Sequence, residues 1–236
     1  MIVIDTLQDV ITALDHRLAA SSPEEIVSEA IRSVPSKRIA VASSFGIESA
    51  ALLALVAAAD PNVPVLFLDT GWLFEQTLAY RDALVAKLRL VDVRTMRPDP
   101  EALQFADPKN DLWSRDSDAC CRLRKVEPLA AALEGFSAWI NGRKRYQGFE
   151  RATLPVVERD GKRVKFNPLA RARRADIEAI FERADLPLHP LASAGFSSIG
   201  CMPCTSVTRP NEAVRAGRWR EQGRTECGIH KPPQGG

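Results

Sequence analysis

The chain has 236 residues, 45% hydrophobic and 26% charged, which excludes a disordered or fibrous protein and predicts one α/β domain with a substantial core. A formal net charge of +2 makes no bulk case for nucleic acid as a partner, and no apolar run reaches the roughly 20 residues of a membrane span. Met1-Ile2-Val3-Ile4-Asp5 lacks a basic leader, and five cysteines, an odd count without a signal peptide, predict a cytoplasmic protein with reduced thiols.

In chain order, residues 5–33 read as helical, with Leu7, Val10, Ile11, Leu14 and Leu18 at helical spacing and a second helix starting at Pro23 after Ser22. Packing or a homo-oligomer contact is the role expected of these helices. Arg38-Ile39-Ala40-Val41-Ala42 is a buried-strand pattern, followed by the loop Ser43-Ser44-Phe45-Gly46-Ile47-Glu48-Ser49 and the helix former Ala50 to Val56. Strand, small-residue loop and helix aim backbone N–H groups at an anion, although a bare serine/glycine turn also serves as a plain connection. Val63 to Asp69 is a second apolar strand, of the kind found in a parallel sheet covered on both faces. A helix from Phe74 to Lys87 and a third strand, Leu88 to Val93, complete a repeated strand–helix–strand pattern. The predicted fold is α/β, with a doubly wound, mainly parallel sheet.

Residues 96–119 carry little strand pattern and lead into Cys120-Cys121-Arg122-Leu123-Arg124-Lys125, where apolar spacing predicts a helix beginning near the cysteine pair. Thiolates at such a helix start gain from its dipole and the nearby cations; adjacent cysteines are also found simply buried. Ala138-Trp139-Ile140-Asn141-Gly142 is a further strand end, followed by Arg143, Lys144, Arg145 and then Arg151, which suit either solvent or an anionic ligand. Residues 156–166 read as a hairpin turning at Asp160-Gly161, and a helix is expected over about 174–184. His189, between prolines, reads as structural. Cys201-Met202-Pro203-Cys204 stands on a Gly/Pro-rich turn, and Arg209, Arg215, Arg218, Arg220 and Arg224 follow it. Two cysteine pairs supply four ligands for one tetrahedral or cubane site, which leaves Cys227 as a nucleophile on a C-terminal segment expected to be mobile. In domain terms, residues 1–35 are helices, 36–205 the core and 206–236 that segment.

These motifs together resemble the assimilatory adenylyl-sulfate/phosphoadenylyl-sulfate reductases. The resemblance rests on Ser43-Ser44-Phe45-Gly46-Ile47-Glu48, Leu68-Asp69-Thr70-Gly71, the Cys120-Cys121 and Cys201/Cys204 pairs, Arg215-Ala216-Gly217-Arg218-Trp219 and Glu226-Cys227-Gly228-Ile229-His230. It implies an adenine-nucleotide alpha-hydrolase-like sheet, a four-iron four-sulfur cluster on Cys120, Cys121, Cys201 and Cys204, and Cys227 as nucleophile. It further implies that Ser43, Ser44, Phe45 and Gly46 line the nucleotide site and that Leu68 and Gly142 offer backbone contacts to adenosine. Lys125, Arg145, Arg215 and Arg218 match positions that hold the phosphosulfate, with Arg151 beside them. Gly142-Arg143-Lys144-Arg145 departs from the family's usual arginine pair, since lysine cannot reproduce the arginine fork.

The implied reaction reduces adenylyl sulfate (APS), or its 3′-phosphorylated form (PAPS), through a Cys227 S-sulfonate that a dithiol such as thioredoxin resolves to sulfite. Two alternatives are an ATP-pyrophosphatase type of sulfur-transfer enzyme carrying a cluster and a zinc-structured nucleic-acid module. Phe45 and Glu48 disfavour the first, because they replace glycine and aspartate of a pyrophosphate cradle. Adjacent Cys120 and Cys121 disfavour the second.

Overall fold

Two capping boxes open the N-terminal helices. The Thr6 N–H donates to the Asp9 carboxylate at 2.9 Å while the Asp9 N–H donates to the Thr6 hydroxyl at 3.2 Å, starting α1 (Leu7–Leu18). Ser22 and Glu25 repeat the device at α2, Pro23–Ser33, whose first residue is the expected proline. Ile11, Leu18, Ile26, Val27 and Ala30 join these helices to the main core. The computed structural model describes residues 6–34, 38–220, 222, 224 and 226–230. The expectations about Met1 to Asp5 and the last residues of the C-terminal segment, 231–236, lie outside the described residues.

Six strands, β1 (Ile39–Ser43), β2 (Val65–Leu68), β3 (Val93–Met96), β4 (Ala138–Ile140), β5 (Val157–Asp160) and β6 (Arg163–Phe166), form one sheet in the order β3-β2-β1-β4-β6-β5. Every neighbouring pair is parallel except the β5–β6 hairpin, which turns at Gly161 with φ 58°. Val41 pairs with Val65 on one side and Ile140 on the other, so β1 is the central strand. The chain winds outward from β1 through β2 to β3 and then crosses to β4. The carboxyl ends of β1 and β4 therefore flank the topological switch point, where sheets of this kind bind ligands. Helix α3 (Ser49–Ala59) follows β1 and buries Ala50 through Val56, packing against α2, against α4 (Glu75–Leu88), and against the last long helix.

The third strand differs from expectation. Leu88 ends α4, Arg89 adopts the left-handed conformation with φ 53°, and the buried Leu90 donates its N–H to Val85 O at 3.1 Å. The apolar Leu88–Leu90 run thus seals a helix end. The strand that follows is an edge strand, Val-Arg-Thr-Met, without a buried residue and so without the apolar run that marks an inner strand.

Residues 96–119 also hold more structure than their prolines suggested. Asp99 caps α5 (Pro100–Ala106), with Pro100 at its first position; then come α6 (Leu112–Arg115) and α7 (Ser117–Cys121). A π turn, Arg122–Val126, continues α7 into α8, Glu127–Ala132. The cysteine pair therefore lies beyond the first turn of a continuous helical stretch rather than at its start, which corrects the dipole argument. The last long helix is α9, Arg174–Arg183. No helix among the described residues is long and apolar enough to cross a membrane.

Candidate active site

The loop leaving β1 is shaped by its serines. The Phe45 N–H donates to Ser43 Oγ at 3.2 Å, and the Gly46 N–H donates to Ser49 Oγ at 2.9 Å. Phe45 takes φ 47° and turns its ring into the core, edge-on to Phe67 at 5.3 Å between centroids. Glu48 at the cap of α3 makes no side-chain bond to the helix, so the first-turn N–H groups have no side-chain cap from it. Its carboxylate instead meets Lys144 Nζ at 3.2 Å and accepts from the Tyr146 hydroxyl at 2.5 Å. Burial opposes the charge on Glu48, yet Lys144 and Tyr146 hold its carboxyl below the ordinary range. Ser43, Ser44, Gly46, Leu68 and Gly142 all line one cavity at the switch point.

The four paired cysteines line a second, adjoining cavity with Trp72 and Trp113, and none forms a disulfide. Two features aim them. The π turn buries three consecutive residues, Leu123, Arg124 and Lys125. Arg124 goes to Thr70 O at 3.0 Å and the Asp107 carboxylate at 2.7 Å, while Lys125 faces the first cavity. Cys201 is pinned by the Met202 N–H donating to Trp72 O at 2.7 Å and by Thr70 Oγ1 at 3.2 Å from its sulfur. Burial, reinforced by the charge of Cys121, pushes the Cys120 thiol up to about 12, and burial also raises Cys204. Burial opposes ionisation of Cys201 as well, but the Lys125 amine and the Thr70 hydroxyl bring its thiol below the ordinary value.

A ring of cations closes the first cavity. Lys125, Arg151, Arg215 and Arg218 are all buried, and the Arg218 guanidinium lies 4.5 Å from the Trp219 ring centre. Gly200 leaves the room for it, since a methyl group there would collide with Arg218. Arg218 Nε and Trp219 Nε1 are buried donors with no hydrogen-bond partner among the described residues. Burial opposes the charge on Lys125, but its electrostatic interaction with the surrounding cysteines, Cys201 first, outweighs that and raises its pKa.

Glu226, Cys227, Ile229 and His230 also line this cavity. Glu226 pairs with Arg151 at 2.5 Å and Arg215 at 3.3 Å, and the two guanidiniums hold its carboxyl down at about 2 against burial. Ile229 packs on the Ala40, Leu66 and Trp139 cluster, and His230 stacks on Trp139 at 6.1 Å and 6°. These contacts lay residues 226–230 into the site. Cys227 is half-buried between Glu226 and the Cys121–Cys204–Trp219 cluster. Burial and the Glu226 carboxylate push its thiol above the ordinary value, with Lys125 acting in the opposite sense.

The profile of the "Phosphoadenosine phosphosulfate reductase domain" matches residues 38–207, which span the whole sheet and the Cys201/Cys204 turn. The chain belongs to the phosphoadenosine phosphosulfate reductase family. The adenosine 5′-phosphosulfate reductase of Chelativorans sp. (strain BNC1) is 48% identical over 93% of this chain and 90% of its own length. That of Mesorhizobium japonicum is 46% identical over 92% of this chain and 85% of its own. Among solved structures, the phosphoadenylyl-sulfate reductase of Candida auris in its phosphate complex superposes with a TM-score of 0.72 at 27% identity, covering 87% of this chain and 99% of that one. The protein is thus an oxidoreductase acting on sulfur, of the sulfate-assimilation type.

In this reductase the expected site residues mostly converge. Phe45 and Arg145 do not. The Phe45 side chain is fully buried in the core, and Arg145 donates from Nε to Leu154 O at 2.8 Å and lines a separate cavity with Arg171, Arg173 and Arg174. The inward cations of that loop are Arg143 and Lys144, the latter donating to Gly142 O at 3.0 Å as well as meeting Glu48. Glu48, Glu226 and His230 also line the cavity, and only their place inside quoted motifs could have pointed to them. The four-thiol set fits an iron–sulfur cluster: the thiols share one buried cavity, and mutual charge raises those of Cys120 and Cys204, a cost that a cationic cluster would remove.

Proposed function

We propose that the reductase converts APS to sulfite and AMP with Cys227 as nucleophile. The observation that carries this reading is the setting of Cys227, in one cavity with the loops of β1 and β4 and with Lys125, Arg151, Arg215 and Arg218. A phosphosulfate carries negative charge on both groups, and a thiolate can approach its sulfur only where fixed cations offset that charge. Arg218 and Trp219 also line that cavity, and their buried Nε and Nε1 donors have no partner among the described residues.

In the step itself the Cys227 thiolate attacks the sulfur of the sulfuryl group. The S–O bond to phosphate breaks, and AMP leaves with the electron pair, giving a Cys227 S-sulfonate. A dithiol reductant of the thioredoxin type then attacks the Cys227 sulfur. Sulfite leaves with the electron pair of the S–S bond, and the second thiol of the reductant resolves the mixed disulfide. The dithiol is oxidised and the sulfur reduced by two electrons. Cys120, Cys121, Cys201 and Cys204 are the residues that would hold a four-iron four-sulfur cluster. Bound there, such a cluster would take up the charge of the four thiolates and so set the field at Lys125.

The test is peptide mass spectrometry of anaerobic protein exposed to APS or PAPS without reductant. A gain of one SO₃ on the Cys227 peptide with APS is the expected result, and an equal gain with PAPS would broaden the substrate. Protein that takes up the group on no cysteine overturns the reading.

A further inference from the structure

Glu226 is 5% exposed and lines the cavity that receives the substrate's anion in the reading above. Its carboxylate rests on Arg151 Nε at 2.5 Å and on Arg215 Nη2 at 3.3 Å. A carboxylate held between two guanidinium groups presents the oxygens, charge and planar fit that a phosphate or sulfate oxygen pair would offer the same donors. The same carboxylate is tied to the nucleophile, since Oε1 accepts the Cys227 N–H at 3.1 Å and lies 3.7 Å from the Cys227 sulfur. One anion thus clamps the segment that carries Cys227 onto two cations of the substrate site.

The clamp does not saturate the site. Among the described residues Arg218 Nε and Trp219 Nε1 remain buried without partners, and Lys125 stands 5.9 Å from the Trp219 ring centre. A single carboxylate therefore covers part of the cation set, whereas a phosphosulfate has enough oxygens to engage all of it. Beyond Cys227 the segment is sealed by Ile229 in an apolar cluster and by His230 on Trp139. A ligand that takes Arg151 and Arg215 from Glu226 removes the charged anchor of this segment.

We propose that Glu226 is an internal competitor for the substrate's anionic group. With no substrate bound its carboxylate fills the Arg151–Arg215 clamp, and an incoming phosphosulfate takes over those guanidiniums and releases the segment that carries Cys227. The proposal rests on the phosphosulfate reading of the cavity and adds a regulatory contact to it.

The test compares Glu226→Gln, which removes the charge and keeps the shape, with the parent protein, both as full-length holoenzyme. The dissociation constant for APS is measured in a Cys227→Ser background, which cannot be sulfonated. Removing the competitor should tighten APS binding roughly tenfold, the scale of one charge-assisted contact. In protein retaining Cys227, the rate at which iodoacetamide labels that thiol without ligand should rise severalfold. Glu226→Ala, checked by its unfolding midpoint, guards against a local defect of one variant. Unchanged or weaker APS affinity in both variants overturns the proposal, because Glu226 would then stay on the arginines in the bound state and merely position Cys227. If APS binds neither the parent nor the variants, the phosphosulfate reading falls. Inorganic pyrophosphate then decides the competition in the same assay: tighter binding to Glu226→Gln keeps it, and equal or weaker binding overturns it.

Discussion

Lys125 is the residue on which the two cavities meet. It lines both, it is 9% exposed, and the cysteines around it, Cys201 first, favour its charged form against burial. In the proposed reaction a cation fixed there in advance would stabilise charge as it moves from thiolate to phosphosulfate, without reorganising at the moment of reaction. Lys125→Ala should therefore leave the visible absorbance of the holoenzyme in place while slowing Cys227 sulfonation by about 10²-fold or more, the scale of one lost preorganised donor. Single-turnover mass spectrometry reads the rate, and normal sulfonation in that variant would remove Lys125 from the chemistry. Its neighbour Arg124 has a different task.

At the scale of elements, the π turn between α7 and α8 carries two adjacent cations, Arg124 and Lys125, that are both buried. Arg124 bonds Thr70 O after β2 together with Asp107 and Asn110 Oδ1, at 3.0, 2.7 and 3.1 Å, so one guanidinium joins the end of β2 to the segment between α5 and α6. The Asp107 side chain has no solvent exposure, and desolvation raises its pKa less than Arg124 and backbone N–H groups lower it. Arg124→Met would leave that carboxylate buried without its cation, a loss of about 3–5 kcal/mol. The double variant Arg124→Met, Asp107→Leu should recover a good part of this in urea unfolding, and a single variant as stable as the parent would show that the pair does not hold these elements together.

For the whole molecule, acid stability turns in part on a residue far from the chemistry. His189 is 1% exposed, accepts the Leu191 N–H through Nδ1 at 3.1 Å and meets Thr77 Oγ1 through Nε2 at 3.1 Å. Protonation of Nδ1 would break the first bond, and burial lowers the pKa from 6.5 to about 4. Between these values the unfolded chain binds a proton that the folded chain refuses. The contribution of His189 to stability is therefore complete above 6.5 and falls away as the pH drops toward 4, by about 3 kcal/mol in all. Urea midpoints at pH 7 and pH 5 should show this loss, and His189→Gln, though less stable at pH 7, should lose less between the two. An equal loss in both proteins would assign the acid sensitivity to other groups.

What the amino-acid sequence by itself determined were features written in short-range patterns. Ser22-Pro23 marks a helix start, the apolar runs of β1 and β2 mark buried parallel strands, Gly161 marks the hairpin, and the spacing of the five cysteines sets two pairs apart from Cys227. Each is local because cap geometry, strand period and ligand spacing act over a few residues. The tertiary structure alone decided the rest. An edge strand such as β3 buries no residue and leaves no apolar signature. Past the end of β4 no period dictates which of Arg143, Lys144 and Arg145 turns inward, and packing against Glu48, Glu158 and Leu154 settles it. In the sequence Glu226 has no role beyond its place in a motif, and it is the fold that brings Arg151, far away in the chain, onto its carboxylate. Charge pairing across such distances depends on where the backbone closes, and only the folded sheet carries that information.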